Sequence, residues 1–76
     1  MECFLNELRP GDGGLVTALP EGTPLTRRLR EFGLVPPTAV RCRYWGPGGH
    51  LTALELRGAV IAVRREDLGK IPVRRL

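Results

Sequence analysis

The sequence predicts a mainly β fold, a small barrel of about five short strands with one short inserted helix. Three observations predict it. Apolar and polar residues alternate over several short runs, the period of a strand with one face toward a core. The 10 glycines and 7 prolines are spread along 76 residues, so runs are repeatedly interrupted by turns rather than extended into long helices. Apolar residues at helical spacing mark one segment, and it is framed by a helix start signal and a helix stop signal.

The elements follow in order. The opening segment, Leu5 to Leu8, ends at Arg9-Pro10-Gly11-Asp12-Gly13-Gly14, where Pro-Gly and Asp-Gly mark a turn. A first strand is expected over about Gly14 to Leu19, with Leu15, Thr17 and Leu19 on one face and Val16 and Ala18 on the other. Apolar residues on both faces fit a strand in a curved sheet. Pro20-Glu21-Gly22 breaks it. Thr23 is then a good N-cap, and Pro24 sits at the first helical position, where a missing N–H costs nothing.

The helix is expected over Pro24 to Phe32, with Leu25, Leu29 and Phe32 on its core face. Arg27 and Glu31 are spaced to pair at i, i+4. Gly33 suits a left-handed C-terminal cap, Leu34 the apolar contact that accompanies it, and Pro36-Pro37 prevents continuation.

Ala39 to Trp45 alternates, with Val40, Cys42 and Tyr44 on one face and Arg41 and Arg43 on the other. Gly46-Pro47-Gly48-Gly49 makes a hairpin loop. Leu51 to Leu56 returns with Thr52, Leu54 and Leu56 inward and Glu55 outward. Arg57-Gly58 is a tight turn before the most apolar strand, Ala59 to Val63. Arg64 to Leu68 suits one helical turn. Ile71 and Val73 form a last short strand expected to pair with the first and close the sheet. This order of elements is of the SH3-like type, one domain over residues 1–76.

Size and composition exclude several classes of function. A chain of 76 residues has little room for a deep catalytic cleft beside a core. The longest uncharged stretch, Tyr44 to Leu54, is interrupted by Gly and Pro and falls short of the roughly 20 apolar residues a membrane span needs. Glu2 and Glu7 stand where a signal peptide would be basic and then apolar, so a cytoplasmic location is expected. Cys3 and Cys42 are too few for a disulfide framework and are expected to be free thiols.

Catalytic and ligand-binding residues are sparse. The chain has no serine and one histidine, His50, which excludes a serine-centred triad. The 8 carboxylates show no paired spacing, and Gly46 to Gly49 lacks the Lys-Ser/Thr of a phosphate-binding loop. No enzymatic activity and no cofactor are expected. Cys3 and His50 make too small a set for a transition-metal site unless the fold or a second subunit completes it. The net charge of +4 invites a nucleic-acid reading, with Arg27, Arg28 and Arg30 on phosphate. Against it, the arginines are scattered among carboxylates. The aromatics are only Phe4, Phe32, Tyr44 and Trp45, and Tyr44 and Trp45, as strand neighbours, point to opposite faces. Trp45 is either an exposed anchor or a cover for one end of the barrel.

One string of residues is more specific. Leu5, Leu8, Pro10 and Gly11 are followed by Arg28, Leu29, Glu31, Gly33, Leu34 and Pro36 in an RL-x-E-x-GL-x-P run that also includes Leu25 upstream. Gly48-Gly49, Gly58 and Ile71-x-Val73 follow. In these features the chain resembles the FeoA family, the small cytoplasmic component of bacterial ferrous-iron transport. It departs from the family pattern at Pro37, His50 and Leu68. The resemblance implies an SH3-like barrel with no catalytic activity of its own. It also implies a partner, a large membrane transporter with a cytoplasmic GTP-binding domain, and contact with the membrane only through that partner.

The expected function is therefore a non-enzymatic accessory of ferrous-iron uptake. The expected contact surface is Arg27, Arg28 and Arg30 with the apolar edge Leu34, Val35 and Pro36. A nucleic-acid-binding barrel and a transition-metal-responsive module that uses Cys3 and His50 are the alternatives. Open strand edges make a homo-oligomer plausible under any of the three.

Overall fold

The computed structural model describes residues 2–76. Six strands form one antiparallel sheet: β1 (Glu2–Phe4), β2 (Gly13–Val16), β3 (Thr38–Trp45), β4 (Leu51–Leu56), β5 (Ala59–Arg64) and β6 (Pro72–Arg75). The helix α1 (Pro24–Glu31) is inserted between β2 and β3, and three 3-10 turns cover Leu5–Glu7, Pro47–Gly49 and Arg65–Leu68. The strand order is β1-β6-β2-β3-β4-β5. The last strand does pair with the first expected one, through Gly14↔Arg75, Leu15↔Arg74 and Val16↔Val73.

The sheet has one strand more than expected. β1 lies on the far side of β6, with Cys3 opposite Val73. Its three residues show no alternation to read, and its partner is at the other end of the sequence. β2 is shorter than expected and stops at Val16, opposite the start of β6; beyond it Thr17 N–H donates to the Pro72 carbonyl at 3.2 Å. One side chain links the turns that follow the two edge strands. Arg65, just after β5, donates to the carbonyls of Asn6, just after β1, and Gly49, both at 3.1 Å. The curled sheet is thus closed by the two turns.

The interior is filled by Val16 of β2, Leu54 and Leu56 of β4, Ile61 and Val63 of β5 and Val73 of β6, with Leu5, Leu8, Leu29, Leu34, Leu68 and Ile71 from turns and helix. Thr52, Leu54 and Leu56 point inward as expected, and the Thr52 hydroxyl meets the buried Cys42 thiol at 3.2 Å. Arg57 and Gly58 both take positive φ, 48° and 83°, which the two-residue turn between β4 and β5 requires.

β3 departs from simple alternation. Cys42 pairs with Leu54, but Tyr44 pairs with Ala53, so Arg43 is an extra residue in a β-bulge. One extra residue moves every later side chain to the other face. Tyr44, expected inside, is therefore exposed at 60%, and Trp45 turns in against the core. The Arg65 guanidinium carbon lies 3.8 Å from the centre of the indole ring. Of the two readings of Trp45, the ring as a cover is the one this geometry fits.

The helix keeps its expected start. Thr23 Oγ1 accepts from the Thr26 N–H at 3.0 Å, and Pro24 is the first helical residue. Its core face differs at the end. Helical conformation stops at Glu31, and Phe32, expected in the core, is exposed. Gly33 turns at φ 95°, and Leu34 takes the place in the core, its N–H donating to the Leu29 carbonyl at 3.0 Å. Thr26 is buried too, its hydroxyl donating to the Pro20 carbonyl. Arg27 and Glu31 do not pair; the ion pair on this face is Arg30 with Glu21, at 3.1 Å.

Candidate partner-binding surface

The surface expected from the sequence is built on α1 and the turn that follows it. Successive helical residues are about 100° apart, so Arg27 and Arg30 fall on one side of α1 and Arg28 on another. The structure separates them in this way. Arg27 and Arg30 flank a shallow groove with Gly22, Thr23, Thr26 and Glu31. Arg28 lines a different groove, with Pro24 and Leu25 on the helix and Ala62 and Arg64 on β5. The three arginines therefore do not form one patch.

The apolar edge is also divided. Leu34, expected on the contact surface, is fully buried and is excluded from it, because it seals the helix end against the core. Val35 is 65% exposed and Pro36 is half-buried. The Thr38 hydroxyl donates to the Val35 carbonyl and holds that turn. Phe32, exposed at 41%, adds an aromatic ring at the same end of the helix. Its i+7 spacing predicts a core position, although Gly33 directly after it signals the end of the helix. Arg27, Phe32 and Val35 stay exposed around the helix and its C-terminal turn, and Arg30 is exposed but paired with Glu21.

The alternative sites have less structure. Among the described residues no group of three or more His, Cys, Asp and Glu is close enough to hold a metal ion. His50 is exposed at the end of the Pro47–Gly49 turn. Cys3 is half-buried and receives the Arg75 guanidinium at 3.8 Å, and Cys42 is in the core. Trp45, the best stacking residue for nucleic acid, already has Arg65 on its ring face. No helix among the described residues is long and apolar enough to cross a membrane.

A comparison with protein families matches residues 3–75 to the model described as the FeoA domain. The chain belongs to the FeoA family. Solved structures agree with this. One described as an iron uptake regulatory protein, FeoA, is 28% identical with a TM-score of 0.83, and the match covers 100% of both chains. The FeoA protein of Chlorobium tepidum is 29% identical with a TM-score of 0.87, over 96% of this chain and 70% of that one. FeoA of Stenotrophomonas maltophilia, complexed with zinc, is 28% identical over 92% of this chain and 87% of that one, with a TM-score of 0.73. It is described as a prokaryotic SH3 domain protein and as a candidate activating factor of bacterial ferrous iron transport. The expected SH3-like class therefore stands. A comparison with curated proteins found none that matches.

Proposed function

We propose that this FeoA-family chain is a non-enzymatic accessory factor of ferrous-iron uptake. It acts in the cytoplasm by binding the GTP-binding part of the membrane transporter. The observation that carries this reading is the FeoA match over residues 3–75, which reaches every element of the barrel. The contact surface is the side of α1 that carries Arg27 and Arg30, together with Phe32, Val35 and Pro36 at its C-terminal end. The arginines give the encounter its salt dependence, and the exposed Phe32 and Val35 give it apolar area to bury.

The test is capture of the transporter's isolated GTP-binding domain by this protein at physiological salt. Alongside it run two variants, Arg27→Ala/Arg30→Ala/Val35→Ser and Arg28→Ala, both checked for folding by circular dichroism. Capture by the natural chain and by Arg28→Ala, with loss in the triple variant, is the expected result. Equal capture by the triple variant overturns the surface. Failure of capture with both the isolated domain and the full-length transporter overturns the partner.

A further inference from the structure

The two edges of the sheet are treated differently. β1 is three residues long, and the N–H of Phe4 is occupied by Glu7 Oε2 at 2.6 Å. A short, capped edge is a poor template for another strand. β5 has six residues, and only β4 flanks it. The two-residue turn makes Leu56 and Ala59 a mutually hydrogen-bonded pair, and the pattern repeats at every second residue. Beyond the strand, the Arg65 N–H donates to the His50 carbonyl at 2.8 Å, in the same phase. The backbone groups of Ala59, Ile61 and Val63 therefore face β4. Those of Val60 and Ala62 and the N–H of Arg64 face away, and among the described residues no other strand or side chain bonds to them; the Arg64 carbonyl is taken up by the Arg65–Leu68 turn, whose N-cap it is.

This edge is not open to everything. α1 runs beside it. At the helix's C-terminal end, a Cβ placed on Gly33 would lie 2.9 Å from Arg57 Cδ, so the turn between β4 and β5 abuts the helix there. Toward the other end lies a groove of about 400 Å³, lined by Pro24, Leu25 and Arg28 of the helix, Ala62 to Arg64 of β5, Leu51 of β4 and Asp67. Adjacent strands need only about 4.8 Å. An extended chain bonded to this edge runs along the groove, within reach of Leu25, Arg28 and Arg64.

The chemistry of the walls selects the occupant. Leu25 is half-buried against the core and gives the inner side of the groove an apolar surface. On the rim, Arg28 and Arg64 have no carboxylate within ion-pair distance among the described residues, and Asp67, which also lines the groove, leaves two cations to one carboxylate. A strand added to β5 alternates its side chains between these two sides. We infer that the free edge of β5 beside α1 is a strand-addition site for an extended segment of a partner protein in which aliphatic and acidic residues alternate. Main-chain bonds to Val60, Ala62 and the Arg64 N–H supply affinity, aliphatic side chains turn toward Leu25, and acidic ones toward Arg64 and Arg28. The site is separate from the surface at Arg27 and Arg30 and holds whichever protein provides the segment.

The test is a ¹⁵N NMR titration of the whole protein with an end-capped Glu-Val-Glu-Val-Glu-Val peptide, with Lys-Val-Lys-Val-Lys-Val as control. Without peptide, the amides of Val60, Ala62 and Arg64 should exchange with solvent much faster than those of Ile61 and Val63. With the glutamate peptide those three should shift and become protected, and the lysine peptide should bind at least about tenfold more weakly. Ala62→Pro removes only an outward N–H, which edge strands tolerate, and should reduce binding by about tenfold or more. If that variant does not fold, Arg28→Glu/Arg64→Glu serves, and it should reverse the preference between the two peptides. Slow exchange of the three amides in the free protein overturns the inference. So does protection that grows with protein concentration alone, which would give the edge to a second copy. So do shifts confined to other residues, no shift at millimolar peptide, or unchanged binding by folded Ala62→Pro.

Discussion

Arg65→Ala should lower stability by about 2 kcal/mol, a large effect for a half-exposed residue. The guanidinium makes two hydrogen bonds, to the Asn6 and Gly49 carbonyls at 3.1 Å, and hydrogen bonds from a charged donor contribute about 1.5 kcal/mol each. Its position 3.8 Å from the centre of the Trp45 ring adds about 1 kcal/mol. Ordering an arginine side chain costs up to about 2 kcal/mol, which offsets part of this. Arg65 Nε has no partner among the described residues, so the upper end of the range does not apply. In a domain this small, 2 kcal/mol lowers Tm by about 8–16 °C. The assay is thermal unfolding followed by intrinsic fluorescence. The chain has one tryptophan, so emission excited selectively at tryptophan, which leaves out Tyr44, reports on the surroundings of this ring. The variant should also show red-shifted emission in the folded state. Arg65→Lys keeps the charge without the planar fork and should recover less than half of the loss. A Tm within about 3 °C of the natural chain, with unchanged emission, would refute the idea that Arg65 ties the two sheet edges together.

Two further outcomes test the end of the helix. Leu34→Ala should cost about 3 kcal/mol in urea unfolding, while Val35→Ala, on the exposed side of the same turn, should change stability by less than about 0.5 kcal/mol. Equal effects would mean the turn is not divided in this way. Gly33→Ala should cost about 1 kcal/mol, the left-handed penalty less the gain from a stiffer unfolded chain. Repeating it in an Arg57→Ala background separates the φ of 95° from the 2.9 Å approach to Arg57, and a smaller loss there measures the contact.

What the sequence made legible was local. Thr23-Pro24 and Gly33-Leu34 fix both ends of α1 within a few residues of chain, and Arg57-Gly58 fixes a turn and with it the phase of β4 against β5. The misses share a different cause. The bulge at Arg43 depends on which residue of β4 each residue of β3 meets, and no property of Arg43 itself announces it. β1 exists because β6 offers it an edge. Phe32 has the right spacing for the core, yet the helix ends before it and Leu34 fills the space. The partner surface was half legible for the same reason. Which arginines share a side follows from helical geometry, but the place of Arg28 opposite Arg64 follows only from where β5 lies.

The strand order also bears on how the barrel is assembled. β3, β4 and β5 are neighbours in both sequence and sheet, so their pairing closes only short loops. β6 lies between β1 and β2, and both of those ladders close a loop of most of the chain. The entropy of closure therefore favours a three-stranded meander forming early, with β6 joining afterwards and fixing β1 and β2 on either side of itself. By this route the residues that form the free edge of β5 are in place before the two ends of the chain meet.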